Sequence, residues 1–294
     1  HVSGSLAARV APLCLGRRLG VGQTRSKEDM MRYYLSIIWH FLRASLQQEL
    51  AYSTNFVVSI FHSLLGLMTG VIGITVLFSQ IESIGGWTFA STLSILGVFL
   101  TLSALRGLFI SPSLDALAGM DGDVWTGNLD YHMLRPVDIQ FVASFRHWRP
   151  FALFDLLLGL GVIGFAISQL SNTLTFLELL SFVASLLLAL VVLYSLLLAF
   201  AGLVFWSPGF LFGWVFDGIY EMARYPVNLY PNWIQLLLTW IVPVGVMTTV
   251  PVRALTGALT PQLFLGSTLL AAALFVGATA LFRVGVSRYT SASS

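Results

Sequence analysis

The sequence predicts an all-α integral membrane protein with six transmembrane helices, both termini in the cytoplasm, and an amphipathic interfacial helix before the first span. Hydrophobic residues make up 57% of its 294 residues and charged residues only 10%, whereas a soluble globular protein carries about a quarter charged residues. Several apolar stretches reach the ~20 residues that a helix needs to cross a bilayer. Arginines flank these stretches mainly on one side, which is typical of multi-pass membrane proteins.

Residues 1–30 differ from the rest of the chain because they are rich in arginine and contain Lys27, the only lysine. We expect this leader to be non-native or disordered, with Met30 or Met31 as the natural start. The alternative is a genuine basic amphipathic tail. Residues 31–294 then form a single transmembrane domain. Cys14 is the only cysteine, so we expect neither an intrachain disulfide nor a cysteine-ligated zinc site.

The segment from Arg32 to Tyr52 is the predicted interfacial helix. Its polar residues recur at helical spacing, and leucines and an isoleucine fill the opposite side. A helix with one polar and one apolar face, placed just before a span, is expected to lie in the membrane interface.

The predicted spans are apolar segments of about twenty residues, and the fifth of them is interrupted by Pro243, which neighbouring helices can tolerate. Their approximate bounds are 55–78, 89–110, 151–170, 177–205, 233–250 and 262–282. With the start of the domain inside, only Arg253 falls outside, and the positive-inside rule favours this orientation. The arginines then placed inside are Arg32, Arg43, Arg106, Arg135, Arg146, Arg149, Arg224, Arg283 and Arg288.

The connection between the second and third spans, residues 111–149, is the largest block of charge in the domain, with five aspartates and three arginines. At nearly forty residues it is too long for a simple turn, and loops of this length are usually functional or independently structured. Charges that merely set the topology are the alternative interpretation.

A second polar feature lies in residues 207–232, which the sequence places outside the spans. Gly213, Asp217, Glu221 and Arg224 follow one another at helical spacing on an otherwise aromatic helix. We interpret them as a gating or packing stripe. They are also the only candidate catalytic group if the protein were a membrane-embedded enzyme.

Ionisable residues are scarce within the predicted spans, which argues against ion-coupled transport. Arg106 and Asp155 lie at similar depth near the inner interface, so we predict that they form an interfacial pair. Gly159, Gly161 and Gly164 match a dinucleotide-binding pattern, but they lie in the middle of an apolar span. We therefore interpret them as sites of close helix packing.

Several classes of site are missing from the sequence. It has no glycine-rich phosphate loop with a lysine, no metal-binding histidine motif, and no basic patch of the kind that binds nucleic acid. We therefore expect no catalytic residues, no metal, no cofactor in this chain and no nucleic-acid partner.

The loop sequence Gly127-Asn-Leu-Asp-Tyr-His-Met-Leu-Arg-Pro136 resembles a segment after the second span in the type-2 permeases of ATP-binding-cassette transporters. Three further segments resemble the same family in the same order: Arg224-Tyr225-Pro226 with Tyr230-Pro231, Val250-Pro251-Val-Arg253-Ala-Leu-Thr-Gly257, and Arg288-Tyr289-Thr-Ser-Ala-Ser-Ser294. The resemblance covers residues 31–294.

The resemblance implies a membrane permease subunit of a bacterial inner-membrane transporter, usually an exporter, that forms half of the pathway with a second copy or a homologous permease. A separate cytoplasmic ATPase, which binds ATP and Mg, would dock on the loop between the second and third spans. The matching coupling residues are Gly127, Leu129, Asp130, Leu134, Arg135 and Pro136. Residues 250–261 would form an outer re-entrant hairpin. The alternatives are a stand-alone channel or ion-coupled carrier and a membrane-embedded lipid-modifying enzyme.

Overall fold

The computed structural model describes residues 27–51, 53–119, 121–170, 174–209 and 211–289, and most of them are helical. The leader predicted for residues 1–30 therefore lies largely outside the described residues, as do the last five residues of the chain. The α-helices are α1 (Lys27–Ala51), α2 (Ser53–Phe78), α3 (Phe89–Leu105), α4 (Ser111–Asp115), α5 (Asp123–Thr126), α6 (Leu129–Met133), α7 (Ile139–Phe145), α8 (Ala152–Ser168), α9 (Phe176–Leu203), α10 (Phe212–Glu221), α11 (Asn232–Leu236), α12 (Val244–Leu255) and α13 (Pro261–Arg288).

Shorter elements connect several of these helices. The strands β1 (Ser83–Ile84) and β2 (Trp87–Thr88) pair antiparallel, and the turn between them uses positive φ at Gly85 and Gly86, where glycine carries no steric penalty. π-helical turns cover Arg106–Ile110 and Leu237–Ile241, and 3₁₀ turns cover Met222–Arg224 and Val227–Leu229.

The amphipathic helix predicted for residues 32–52 is found as α1. By its contacts the chain divides within this helix, after Trp39. In the first unit the rings of Tyr33 and Tyr34 meet edge to face, with centroids 5.8 Å apart. In the second unit Leu46 and Leu50 remain exposed, as expected of an apolar helix face that lies against lipid.

Within the part of the chain that the structure describes, four helical stretches are long and apolar enough to cross a membrane: Phe56–Phe78, Phe89–Asp115, Phe176–Leu203 and Pro261–Arg288. They correspond to the first, second, fourth and sixth predicted spans. The second is longer than predicted because α3 continues through a π-helical turn into α4. The third predicted span is α8, which has 17 residues and a length of about 25 Å, a little short of the bilayer core.

The helices define two ends of the second unit. The hairpin end carries β1 and β2, and the loop end carries α5 to α7. α3 and α8 are antiparallel, since Gly159 packs against Thr101 and Gly107 lies near Ala152. α9 and α13 are parallel, and both run from the hairpin end to the loop end.

Only one of the three glycines predicted to mediate packing in α8 does so. A Cβ on Gly159 would lie 2.7 Å from the backbone nitrogen of Thr101, so α3 and α8 can approach this closely only because that position is glycine. Gly161 and Gly164 have nothing within 4 Å of a Cβ position. No described residue packs against them, so the packing prediction is wrong for contacts within the described chain.

The fifth predicted span, residues 233–250, is not a straight helix. The helical run Asn232–Ile241 and the helix α12 meet at 86°. Pro243 lies at the break, where it cannot donate a backbone hydrogen bond. The re-entrant hairpin predicted to begin at residue 250 does not begin there, because α12 continues as a helix through Leu255.

The segment of residues 212–229, named here the crossing segment, runs antiparallel to α3. Its start lies beside Asp115 at the end of α4, and a tyrosine ring in its middle stacks on Phe99 at 4.9 Å. Its last turn lies beside Gly85 in the hairpin. The segment therefore reaches from the loop end to the hairpin end, although the sequence placed residues 207–232 outside the spans.

Candidate functional site

The predicted coupling residues form a small helical turn at the loop end. Gly127 has a φ of 77°, a left-handed conformation that glycine adopts without strain, and α6 begins two residues later. This turn separates α5 from α6. The motif therefore specifies a bend followed by a short helix.

The motif residues divide into an anchor and an exposed surface. Leu129 is only 1% exposed, whereas Tyr131 is 70% exposed and Leu134 is 82% exposed. Arg135 and Pro136 are exposed as well. We name Tyr131, Leu134, Arg135 and Pro136 the α6 tip. Asp130, in the first turn of α6, is partly buried.

A charged cluster lies beneath the α6 tip. An Arg146 nitrogen lies 2.5 Å from a carboxylate oxygen of the buried Asp123, and the same guanidinium contacts His132. The Nε of Arg146 donates a hydrogen bond to His147 at 2.8 Å. Burial, and then the nearby Arg146, lowers the pKa of both His132 and His147, so the neutral imidazoles are favoured.

This cluster was not predicted from the sequence, because Asp123 and Arg146 are far apart in the chain and share no periodic pattern. The only available signal was the concentration of charge in one loop.

The end of the loop is fixed to the second span. Ser113, in α4, exchanges two hydrogen bonds of 2.9 Å with the backbone of His147. The backbone nitrogen of Arg149 donates to the carbonyl of Leu108 at 2.8 Å. These bonds join the loop to the π-helical turn and to α4.

The same end of the loop is also fixed to α1. The Ser45 hydroxyl accepts a hydrogen bond from the Trp148 backbone nitrogen at 3.1 Å. The Glu49 carboxylate accepts one from Phe151 at 2.9 Å, and partial burial raises the pKa of Glu49. The loop therefore has hydrogen-bonded connections to both an interfacial helix and a span.

The predicted stripe on α10 packs against α3. Asp217 forms an ion pair with Arg106, and the Arg106 Nε donates to the Ser111 hydroxyl at 2.8 Å. The same guanidinium lies over the rings of Phe216 and Tyr220, at 5.2 and 5.5 Å from their centroids. The Arg106 side chain thus joins the crossing segment to the second span.

The other members of the stripe also contact this part of the molecule. Glu221 pairs with Arg224 at 2.9 Å, and the Arg224 guanidinium lies 5.3 Å from the ring centroid of Phe99. Gly213 lies beside Asp115. The stripe is a packing surface in this structure, and its role in gating stays a prediction.

Asp155 does not pair with Arg106, contrary to the sequence prediction. The antiparallel register of α3 and α8 places Asp155 about one turn away, beside Ser103 and Ala104, while Arg106 points towards α10. Asp155 lines a cleft of about 160 Å³ together with His62 of α2 and the pair Glu221–Arg224. The sequence did not predict this convergence, because residues 207–232 were expected to lie outside the spans.

Among the residues that the structure describes, no group of three His, Cys, Asp or Glu side chains could hold a metal ion.

The family model described as ABC-2 family transporter protein matches residues 64–293. The match includes the α6 tip, the stripe and most of the cleft. No curated protein and no solved structure matches the chain.

Proposed function

Because the chain belongs to the ABC-2 family of transporter proteins, and is thus the membrane permease component of an ABC transporter, we propose that it is half of an exporter in a bacterial inner membrane. The second half is another copy or a homologous permease. A cytoplasmic ATPase subunit binds ATP and Mg and docks on the α6 tip. The observation that carries this proposal is the exposed α6 tip on a rigidly anchored loop.

The composition of the α6 tip supports a docking role. A leucine that is 82% exposed and a tyrosine that is 70% exposed stand next to an arginine on a short helix. Tyrosine and arginine are among the side chains that supply most of the binding energy at protein interfaces. The loop is the most charged part of the domain, so we expect it to face water, where these apolar side chains gain most from being covered.

The connections beneath the α6 tip would transmit movement to the spans. Leu129 and the contact of His132 with Arg146 hold α6 against the loop, and the bonds of Ser113 and Ser45 tie the loop to α4 and α1. A rigid displacement of α6 would therefore pull on the second span near its π-helical turn. Such turns are frequent at functional sites.

The crossing segment supports a revised six-span arrangement. The spans are α2, α3 with α4, α8, α9, the crossing segment and α13, and residues 232–255 form a re-entrant structure at the outer, hairpin end. The positive-inside rule still favours a cytoplasmic loop end, because only Arg106, within the span Phe89–Asp115, and Arg224 lie deep in the membrane among the inner arginines. Both ends of the domain then lie inside.

Docking is tested by co-purification of the full chain with its cognate ATPase after co-expression. Replacing Leu134 by Asp places a charge in the interface, and we expect affinity to fall about tenfold or more, as for other interface hot spots. Leu134→Met keeps an apolar side chain of similar volume and should bind normally. Asp121→Asn, at an exposed position outside α6, is the surface control.

The proposal fails if Leu134→Asp co-purifies with the ATPase as well as the wild type does, with unchanged ATP hydrolysis. Equal losses for Leu134→Asp and Leu134→Met would also count against it, because they would indicate a general defect of the loop.

A further inference from the structure

The cleft in the middle of the second unit has a polar lining that the coupling mechanism does not use. We name it the polar cleft and define it by His62 and Ser63 of α2, Ser103 of α3, Asp155 of α8, and the pair Glu221–Arg224. In the arrangement proposed above, all of these residues lie within the bilayer, where charged side chains are costly unless they are paired.

The charges in the polar cleft do not balance. Arg224 is neutralised by Glu221 at 2.9 Å, which leaves the carboxylate of Asp155 with no hydrogen bond or ion pair to any described residue. His62 likewise has no such partner in the described chain. The cleft therefore presents one carboxylate that has no partner among the described residues.

An apolar groove of about 320 Å³ continues from the polar cleft between α2, α3 and α8. Leu67 and Leu158 line both spaces, so the groove begins where the cleft ends. It extends along α8 to Phe165, about 15 Å from Asp155 at the helical rise, and towards Leu93 near the hairpin end. Gly161 lies in its wall, with open space in place of a side chain.

We propose that the polar cleft and the apolar groove bind one amphipathic molecule with a cationic amine head group and an alkyl chain. The amine pairs with Asp155, and the alkyl chain lies in the groove. Charge complementarity selects the cation, because a carboxylate within a bilayer is stabilised by an opposite charge. This proposal rests on the exporter function proposed above, because the bound molecule is taken to be the cargo that the transporter moves.

Binding is tested with the full chain in a nonionic detergent, without the ATPase, using dodecylamine that carries a photoreactive diazirine in its chain. We expect cross-linking to peptides that contain Leu67 to Val71 and Leu157 to Phe165. Unlabelled dodecylamine should compete, whereas dodecanol and dodecanoate should not. Competition by phosphatidylethanolamine would assign a membrane aminolipid as the source of the ligand, and its failure to compete would assign a free amphipathic amine.

Two pairs of variants separate the head site from the chain site. Asp155→Asn keeps the side-chain shape and should lower cross-linking about tenfold, the loss expected when a charge-assisted hydrogen bond is removed, whereas Asp121→Asn should have no effect. Gly161→Leu places a side chain in the groove, at a position where a Cβ has nothing within 4 Å, and should also reduce cross-linking. Gly164→Leu adds the same side chain one turn away, at an equally open position outside the groove, and should not.

The proposal is overturned if dodecanol competes as well as dodecylamine, or if Asp155→Asn cross-links like the wild type while eluting as a folded protein. It is also overturned if Gly161→Leu leaves labelling intact but abolishes chemical cross-linking between two copies, because a second permease would then cover the groove. Since no ATPase is present, these results are independent of the Leu134 experiment. Loss of amine binding with intact docking leaves the exporter function standing.

Discussion

Substitutions at Gly159 and Gly164 test directly how α3 and α8 pack. An added methyl group meets α3 at Gly159 and open space at Gly164. In Gly159→Ala the new Cβ would lie 2.7 Å from both the backbone nitrogen and the hydroxyl of Thr101, and 3.0 Å from its Cα. Rotation of a side chain cannot relieve contacts with the backbone, so the helices must move apart. Overpacking of this kind costs about 1–3 kcal/mol. In Gly164→Ala the Cβ meets nothing within 4 Å.

Both variants gain the same helix propensity, at most about 1 kcal/mol, so the difference between them isolates the packing cost. We expect Gly159→Ala to unfold more easily than Gly164→Ala by about 1–3 kcal/mol. The assay is SDS-induced unfolding of the purified full chain in mixed micelles, followed by circular dichroism. Equal unfolding free energies for the two variants would refute the antiparallel register of α3 and α8.

Two further predictions concern charge. A double-mutant cycle with Arg106→Met and Asp217→Asn should give a coupling energy of about 0.5–3 kcal/mol in the same unfolding assay, as is typical of residues in contact. Additive effects would show that the crossing segment does not pair with α3. Because the pKa values of His132 and His147 are lowered in the folded protein, these histidines take up protons at a higher pH in the unfolded state than in the folded state. Their contribution to stability is therefore present above the ordinary histidine pKa of about 6.5 and is lost as the pH falls below it. The melting temperature should decrease when the pH is lowered from 7.5 to 5.5, and it should decrease less in His132→Asn than in the wild type. An equal decrease in the wild type and in His132→Asn would show that His132 does not contribute to this pH dependence.

The apolar helices were predictable from the sequence because a long hydrophobic run has few alternatives to a membrane-spanning helix. The positions of α2, α3, α9 and α13 follow from that rule alone. The coupling motif was also predictable as a local structure, since Gly127 imposes a turn and Pro136 cannot extend a helix. The division into a buried Leu129 and an exposed Leu134 required the structure.

The crossing segment was missed for a physical reason. Its charged stripe lowers the apparent hydrophobicity of residues 212–229, whereas residues 233–250 are more continuously apolar and were chosen as the span. The charges are accommodated because Asp217 and Glu221 are paired with arginines, and pairing is a tertiary property that no sequence window contains. The cleft around Asp155 was missed with it, since two of its polar groups belong to that segment.

The course of residues 212–229 across the bilayer decides both the span count and the position of the polar cleft within the membrane. Single cysteines at Ser207 and Asn228, both exposed positions, in a Cys14→Ser background, can be probed in spheroplasts with a membrane-impermeant maleimide. A crossing predicts that Asn228→Cys reacts in intact spheroplasts and that Ser207→Cys reacts only after permeabilisation. Reaction of both cysteines only after permeabilisation would contradict the crossing and return the whole of residues 207–232 to the cytoplasm.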